Sequence, residues 1–113
     1  MNISETKRKQ IWEQANKIDR YNPEKWRQDF AGAWIKWDDY GKQTDYGWTI
    51  DHKCPIAKGG SDSLENLQPI HWKNNEEKGD NYPRFDTIIS SGKNSEGKDC
   101  NIEKKQSWHF NIK

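Results

Sequence analysis

Apolar positions are sparse along this chain and fall into short runs separated by long polar stretches. Over residues 3–18, ISETKRKQIWEQANKI, the side chains of Ile11, Trp12, Ala15 and Ile18 recur at helical spacing, which predicts an N-terminal helix with one buried face. Asn2 and Glu5 stand where a capping pair would close its first turn. Tyr21-Asn22-Pro23 ends the segment. Residues 24–41, EKWRQDFAGAWIKWDDYG, read two ways. Trp26 and Phe30 suit a short helix, whereas Asp29-Phe30-Ala31-Gly32 suits a turn between two extended pieces, with AWIKW as the second; the hairpin is preferred. Residues 47–50 form a strand candidate that delivers Asp51 and His52 at its end. Residues 53–64 read as a loop, marked by Pro55, Gly59-Gly60 and Ser61-Asp62-Ser63. Residues 67–70 make a second short strand, and residues 71–78 a helix closed by Gly79. After Pro83, FDTIISS reads as a strand, GKNSEGKDC as a polar loop and QSWHFN as a last strand. On that strand Trp108 and Phe110 share one face and His109 turns to solvent.

Composition changes this picture in one respect. Only 30% of the 113 residues are hydrophobic and 33% are charged, a balance that leans toward disorder. A net charge of +1 and seven Trp, four Tyr and three Phe point the other way, because aromatics supply large apolar area from few residues. The expectation is one small domain around a thin, Trp-rich core. No apolar run approaches the roughly 20 residues of a membrane span, and the polar N-terminus has no signal-peptide core. Cys54 and Cys100 belong to no C-x-x-C pair and are expected as reduced thiols. Near-neutral charge is not that of a nonspecific DNA coat. Lys7-Arg8-Lys9 reads as a solvated helix face, with a DNA-backbone contact as the sharper alternative.

Candidate chemistry concentrates in GWTIDHKCPIAKGGSDSLENLQPIHWKNNEEKGD, residues 47–80. Asp51 offers an anionic oxygen and Asn75 a neutral amide oxygen, both hard donors suited to Mg²⁺. On an extended backbone His52 points to the side opposite Asp51, so its imidazole does not share the metal and is free to take a proton from water. Asn66 follows His52 by fourteen positions, and Asn75 follows Asn66 by nine.

The pattern DH…P…KGG…D…ENLQ…HWKNN…KGD resembles the HNH endonuclease motif in its variant with Asn at the final position. The upstream WRQDFAGAWI…YG…YGW resembles the lead-in of small HNH proteins more loosely. The resemblance implies an α+β fold: a small ββα-metal finger over residues 47–80, with an N-terminal helix at about 3–18 and a C-terminal β extension over 83–113, all in one domain. It implies that Asp51 and Asn75 hold one divalent cation, Mg²⁺ or else Mn²⁺, and that His52 is the general base. Asn66, the middle Asn of the motif, would brace the loop, and its region would orient His52. Lys78 would contact phosphate or stabilise the helix end, and Lys53 and Lys58 are further candidates for substrate contact. Many HNH proteins carry two C-x-x-C pairs for a structural zinc. Here His71 and Asn74 stand where the second pair would be, so no structural zinc is expected and the Trp core must hold the finger shut. His71 is expected to be structural or solvent-facing. Asn75 is preferred to Asn74 as ligand because it keeps the nine-residue spacing and the N-x-x-K pattern.

The reading that follows is a metal-dependent endonuclease that hydrolyses phosphodiester bonds of double-stranded DNA, nicking one strand per site. It would be cytoplasmic and of bacterial or phage origin. The alternatives are a catalytically silent HNH-like module that binds nucleic acid or protein, and a nuclease toxin domain with an immunity partner.

Overall fold

The structure, a computed structural model, describes residues 3–110. In chain order it comprises helix α1 (Glu5–Trp12), strands β1 (Trp26–Gln28) and β2 (Trp34–Lys36), strands β3 (Trp48–His52) and β4 (Leu67–His71), helix α2 (Trp72–Lys78), and strands β5 (Arg84–Lys93) and β6 (Asp99–His109). The strands form three antiparallel ribbons, β1-β2, β3-β4 and β5-β6. The class is α+β, and β3-β4 followed directly by α2 makes a ββα finger. No helix among the described residues is long and apolar enough to cross a membrane.

Helix α1 is shorter than its apolar spacing predicts. It ends at Trp12 because the backbone beyond is captured by another element. The buried guanidinium of Arg27 donates to the carbonyls of Glu13 and Ala15, each at 3.1 Å. The Asn16 and Gln28 backbones pair in both directions at 2.9 Å. These groups are therefore spent on β1 rather than on further helical turns. The N-cap is Ser4, whose hydroxyl accepts from the Lys7 amide at 3.1 Å. The expected capping residue Asn2 lies outside the described residues.

The central core joins Trp12, Ala15, Ile35 and Trp48, with Trp37, Tyr40 and Ile50 packed against it. Trp12 meets Trp48 at 5.1 Å between ring centroids and Trp37 edge-on at 5.6 Å. Such pairs add about 0.5–1.5 kcal/mol each beyond the area they bury. The basic cluster on α1 is half-buried and engaged with neighbouring groups. Arg8 lies over Trp37 and Tyr40 at 5.0 and 4.7 Å, Lys9 pairs with Glu24, and the Lys7 ammonium reaches the Asp62 carbonyl at 3.4 Å.

Aromatic packing alone does not fasten the finger. Asp29, in the β1-β2 turn, is fully buried and accepts four N–H bonds: Ala31 and Ala33 on Oδ1, His71 and the Asn74 amide on Oδ2. Asn74 also donates to the Ile89 carbonyl and accepts from the amides of both Ile88 and Ile89 at 2.9 and 2.8 Å. The β5-β6 register shifts between Thr87 and Ile89. That irregularity aims two successive N–H groups at one side-chain oxygen. His71, buried, caps α2: its Nδ1 accepts from the Lys73 amide at 3.1 Å, so Nε2 carries the proton and donates to the Asp45 carbonyl at 2.8 Å. The two positions that stand in for zinc-type cysteines thus hold the finger to its neighbours through hydrogen bonds.

The C-terminal residues form a longer ribbon than predicted. Pairing extends to Gly92↔Cys100 and Lys93↔Asp99, so the polar loop contracts to residues 94–98, closed by the Asn94 side chain accepting from Glu96 and Lys98. Asn101 on β6 grips the Trp34 amide and carbonyl at 2.6 and 2.9 Å, and Ser90 donates to the Ala31 carbonyl. The extension closes the core over the first ribbon. His109 is exposed, and Cys54 and Cys100 are both free thiols.

Candidate active site

The end of β3 carries the acidic and imidazole groups. Asp51 faces Gln68 across the β3-β4 ladder, and the Gln68 amide donates to its Oδ2 at 3.0 Å. The Lys78 ammonium sits 3.1 Å from the same oxygen and 3.4 Å from Oδ1, and donates to the His52 carbonyl at 3.1 Å. Lys78 is fully buried. The expected contact between Lys78 and phosphate therefore gives way to a buried ion pair: from the end of α2 the side chain turns inward because Asp51 needs a partner at a site largely removed from water. Burial pushes the Asp51 carboxyl above the ordinary carboxylate range, opposed first by the Lys78 charge and then by the Gln68 hydrogen bond.

His52 points to the other side of the strand. Its Nε2 lies 2.7 Å from Oδ1 of Asp62, its Nδ1 has no hydrogen-bond partner among the described residues, and the side chain keeps 19% of its surface exposed. The loop between them is folded back on the strand by Asn66. The Asn66 amide accepts from the Cys54 N–H at 2.9 Å, and donates to the carbonyls of Cys54 and Ser61 at 3.0 and 2.7 Å. It ties the chain two residues after His52 to the chain one residue before Asp62. The glycines make this approach feasible. Gly59 takes a left-handed backbone at φ 91°, and a Cβ on Gly60 would lie 1.8 Å from the Cys54 carbonyl oxygen.

Asn75 is half-buried in α2, and its amide has no hydrogen-bond partner among the described residues. It lies one helical turn before Lys78. Asn74, fully buried with every amide group engaged, is architectural. Among the described residues no three His, Cys, Asp or Glu side chains converge as a metal site. The predicted ligands are the Asp51 carboxylate, whose oxygens already accept from Gln68 and Lys78, and the free amide oxygen of Asn75. Their chemistry fits a hard divalent cation that keeps several waters and takes further oxygens from a phosphate.

The remaining predicted residues lie at the margin. Lys53 is half-buried and lines an open cleft of about 430 Å³ with Phe30, Asn66, Gln68 and Tyr82. Lys58 is exposed, its ammonium 3.5 Å from the Tyr82 carbonyl. Two residues of this site have no role assigned from sequence, Asp62 and Gln68. Both stand inside the motif, as the D of GGSD and the Q of ENLQ, and that placement was the available signal.

The HNH endonuclease family model matches residues 36–81, which run from the end of β2 through α2. The match covers less than half of the chain and takes in the DH dipeptide, the middle Asn and the final Asn. No curated protein and no solved structure matches the chain at a significant level.

Proposed function

We propose that this protein is a metal-dependent endonuclease that hydrolyses phosphodiester bonds in DNA, one strand per active site. The observation that carries the reading is the division of labour at the end of β3. The imidazole of His52 is held by one nitrogen and open at the other, while Asp51 on the opposite side is brought under α2, which carries the free amide of Asn75. Nδ1 of His52 takes the proton from the attacking water. Asp51 and Asn75 hold the cation, Mg²⁺ or Mn²⁺. When bound, the cation stabilises charge on the phosphate and leaving oxygen. Asn66 keeps the loop folded against the strand, and Lys53 and Lys58 contact flanking phosphates from the cleft side.

The Lys78 ammonium already balances the Asp51 carboxylate. The protein alone therefore offers a cation little net charge, and substrate phosphate is needed to complete the site. The same ion pair is what favours a second reading, a module that binds nucleic acid without cutting it. One assay separates them. Supercoiled plasmid incubated with the protein and Mg²⁺ or Mn²⁺ is converted to the nicked form, and His52→Ala abolishes the conversion. Equal nicking by both proteins removes His52 as the base. Salt-dependent binding with no nicking in either metal selects the second reading.

A further inference from the structure

We infer that Asp62 is a positioning residue for His52: its carboxylate fixes the ring's orientation and its tautomer, leaving Nδ1 as the proton acceptor. The inference deepens the nuclease reading and rests on it for its consequence in catalysis, but the ring contact itself is independent of that reading.

The argument starts from the chemistry of the contact. Oδ1 of Asp62 stands 2.7 Å from His52 Nε2. An ionised carboxylate only accepts hydrogen bonds, so Nε2 must carry a proton. In the neutral ring the lone pair is then on Nδ1, the nitrogen with no partner among the described residues. A base that is to take a proton from water needs a free lone pair in a fixed direction. The Asp62 contact provides both properties together.

A surface acid normally wanders, and the Asp62 side chain is 70% exposed. Here its backbone is held from three directions. The Ser61 carbonyl, one residue before, accepts from Asn66 at 2.7 Å. The Asp62 carbonyl itself accepts from the Lys7 ammonium of α1 at 3.4 Å. The Leu64 carbonyl, two residues on, accepts from the Gln14 amide at 3.1 Å. The N-terminal segment and the middle Asn of the motif thus hold the same loop. Asn66 also binds both the N–H and the carbonyl of Cys54, so it sets the distance between the strand end that carries His52 and the loop that carries Asp62. Asp62 acts through His52 and touches neither the predicted metal ligands nor the reacting atoms.

The test uses the full chain and two readouts. In metal-free protein, long-range ¹H–¹⁵N spectra of the His52 ring are expected to show a single Nε2–H tautomer. Asp62→Ala is expected to turn this into a mixture, while Asp62→Glu, which keeps a carboxylate, restores much of the preference. In the plasmid assay at saturating Mg²⁺, Asp62→Ala is expected to lower kcat about 10- to 100-fold with KM little changed, and Asp62→Glu to recover part of the loss. An unchanged thermal midpoint for both variants excludes misfolding as the cause. A wild-type ring already in mixed tautomers, or an Asp62→Ala ring indistinguishable from wild type, overturns the inference whatever the activity. Full kcat in Asp62→Ala overturns its catalytic part. If wild-type protein cleaves nothing, the nuclease reading fails while the spectra still decide the ring contact.

Discussion

At the residue scale the most consequential arrangement is the pair formed by Asp51 and Lys78. A carboxylate and an ammonium share a site almost closed to water, with Gln68 and the His52 carbonyl taking up further hydrogen-bonding capacity. Removing one charge leaves the other stranded, and that is more damaging than removing both. Lys78→Met is expected to lower stability by about 3–5 kcal/mol. Asp51→Asn combined with Lys78→Met should recover a large part of that loss. Urea unfolding of the two single variants and the double variant measures the coupling; additive effects would show that the pair is not closed as described. Asp51 was legible in the sequence as a site residue because it precedes His52 in the motif. That Lys78 would be its partner was not, since the N-x-x-K spacing is equally compatible with a lysine facing outward.

At the element scale, the short loop between β3 and β4 does more than connect two strands. Its backbone passes so close to Cys54 that only a glycine fits at position 60. Gly60→Ala places a methyl group against a backbone carbonyl that cannot move without losing its Asn66 hydrogen bond. The variant is expected to cost about 1–3 kcal/mol and to loosen His52 and Asp62 together. A lowered melting temperature, with new His52 ring resonances in the folded state, would show this; a variant with wild-type melting and ring signals would mean that the loop tolerates the side chain. The run of Gly-Gly and Ser-Asp-Ser identified the loop from sequence. Helix α1 stops short of its periodicity for a tertiary reason: the helical spacing runs through Ile18, but Arg27 and Gln28, far along the chain, take the backbone groups that a longer helix would need.

At the scale of the whole molecule, the β1-β2 turn, the end of β4 and helix α2 converge on Asp29. Its carboxyl is pushed up to about 6 by burial, against the pull of its four N–H donors. A carboxyl raised in the folded state contributes stability that is present below its unfolded value of 3.8 and lost as pH rises through about 6. Buried His71, whose pKa burial lowers from 6.5, acts in the opposite sense, with stability present above 6.5 and lost as pH falls. The two nearly share a window, so the Asp29 part is read as a difference. Asp29→Asn presents an amide to N–H donors and is expected to be less stable than wild type at pH 7. The gap should widen by on the order of 2–3 kcal/mol as pH falls from 6 to 4. Chemical denaturation of both proteins across that range checks it, and a constant gap would show that Asp29 titrates alike in the folded and unfolded chains.

The sequence by itself determined most of the local elements and the likeness to the HNH motif. Period-2 and period-3.6 runs place the strands and helices because each depends on side chains close along the chain, and the motif from Asp51 to Asn75 lies within the stretch that the HNH endonuclease family model matches. Tertiary structure alone decided the partners. Asp29 with Asn74, Asp51 with Lys78, His52 with Asp62 and Arg27 with the carbonyls beyond α1 join residues whose meeting depends on how the ribbons pack. A hydrogen bond or ion pair becomes strong or costly through burial and direction, and neither quantity is a property of one position in a string.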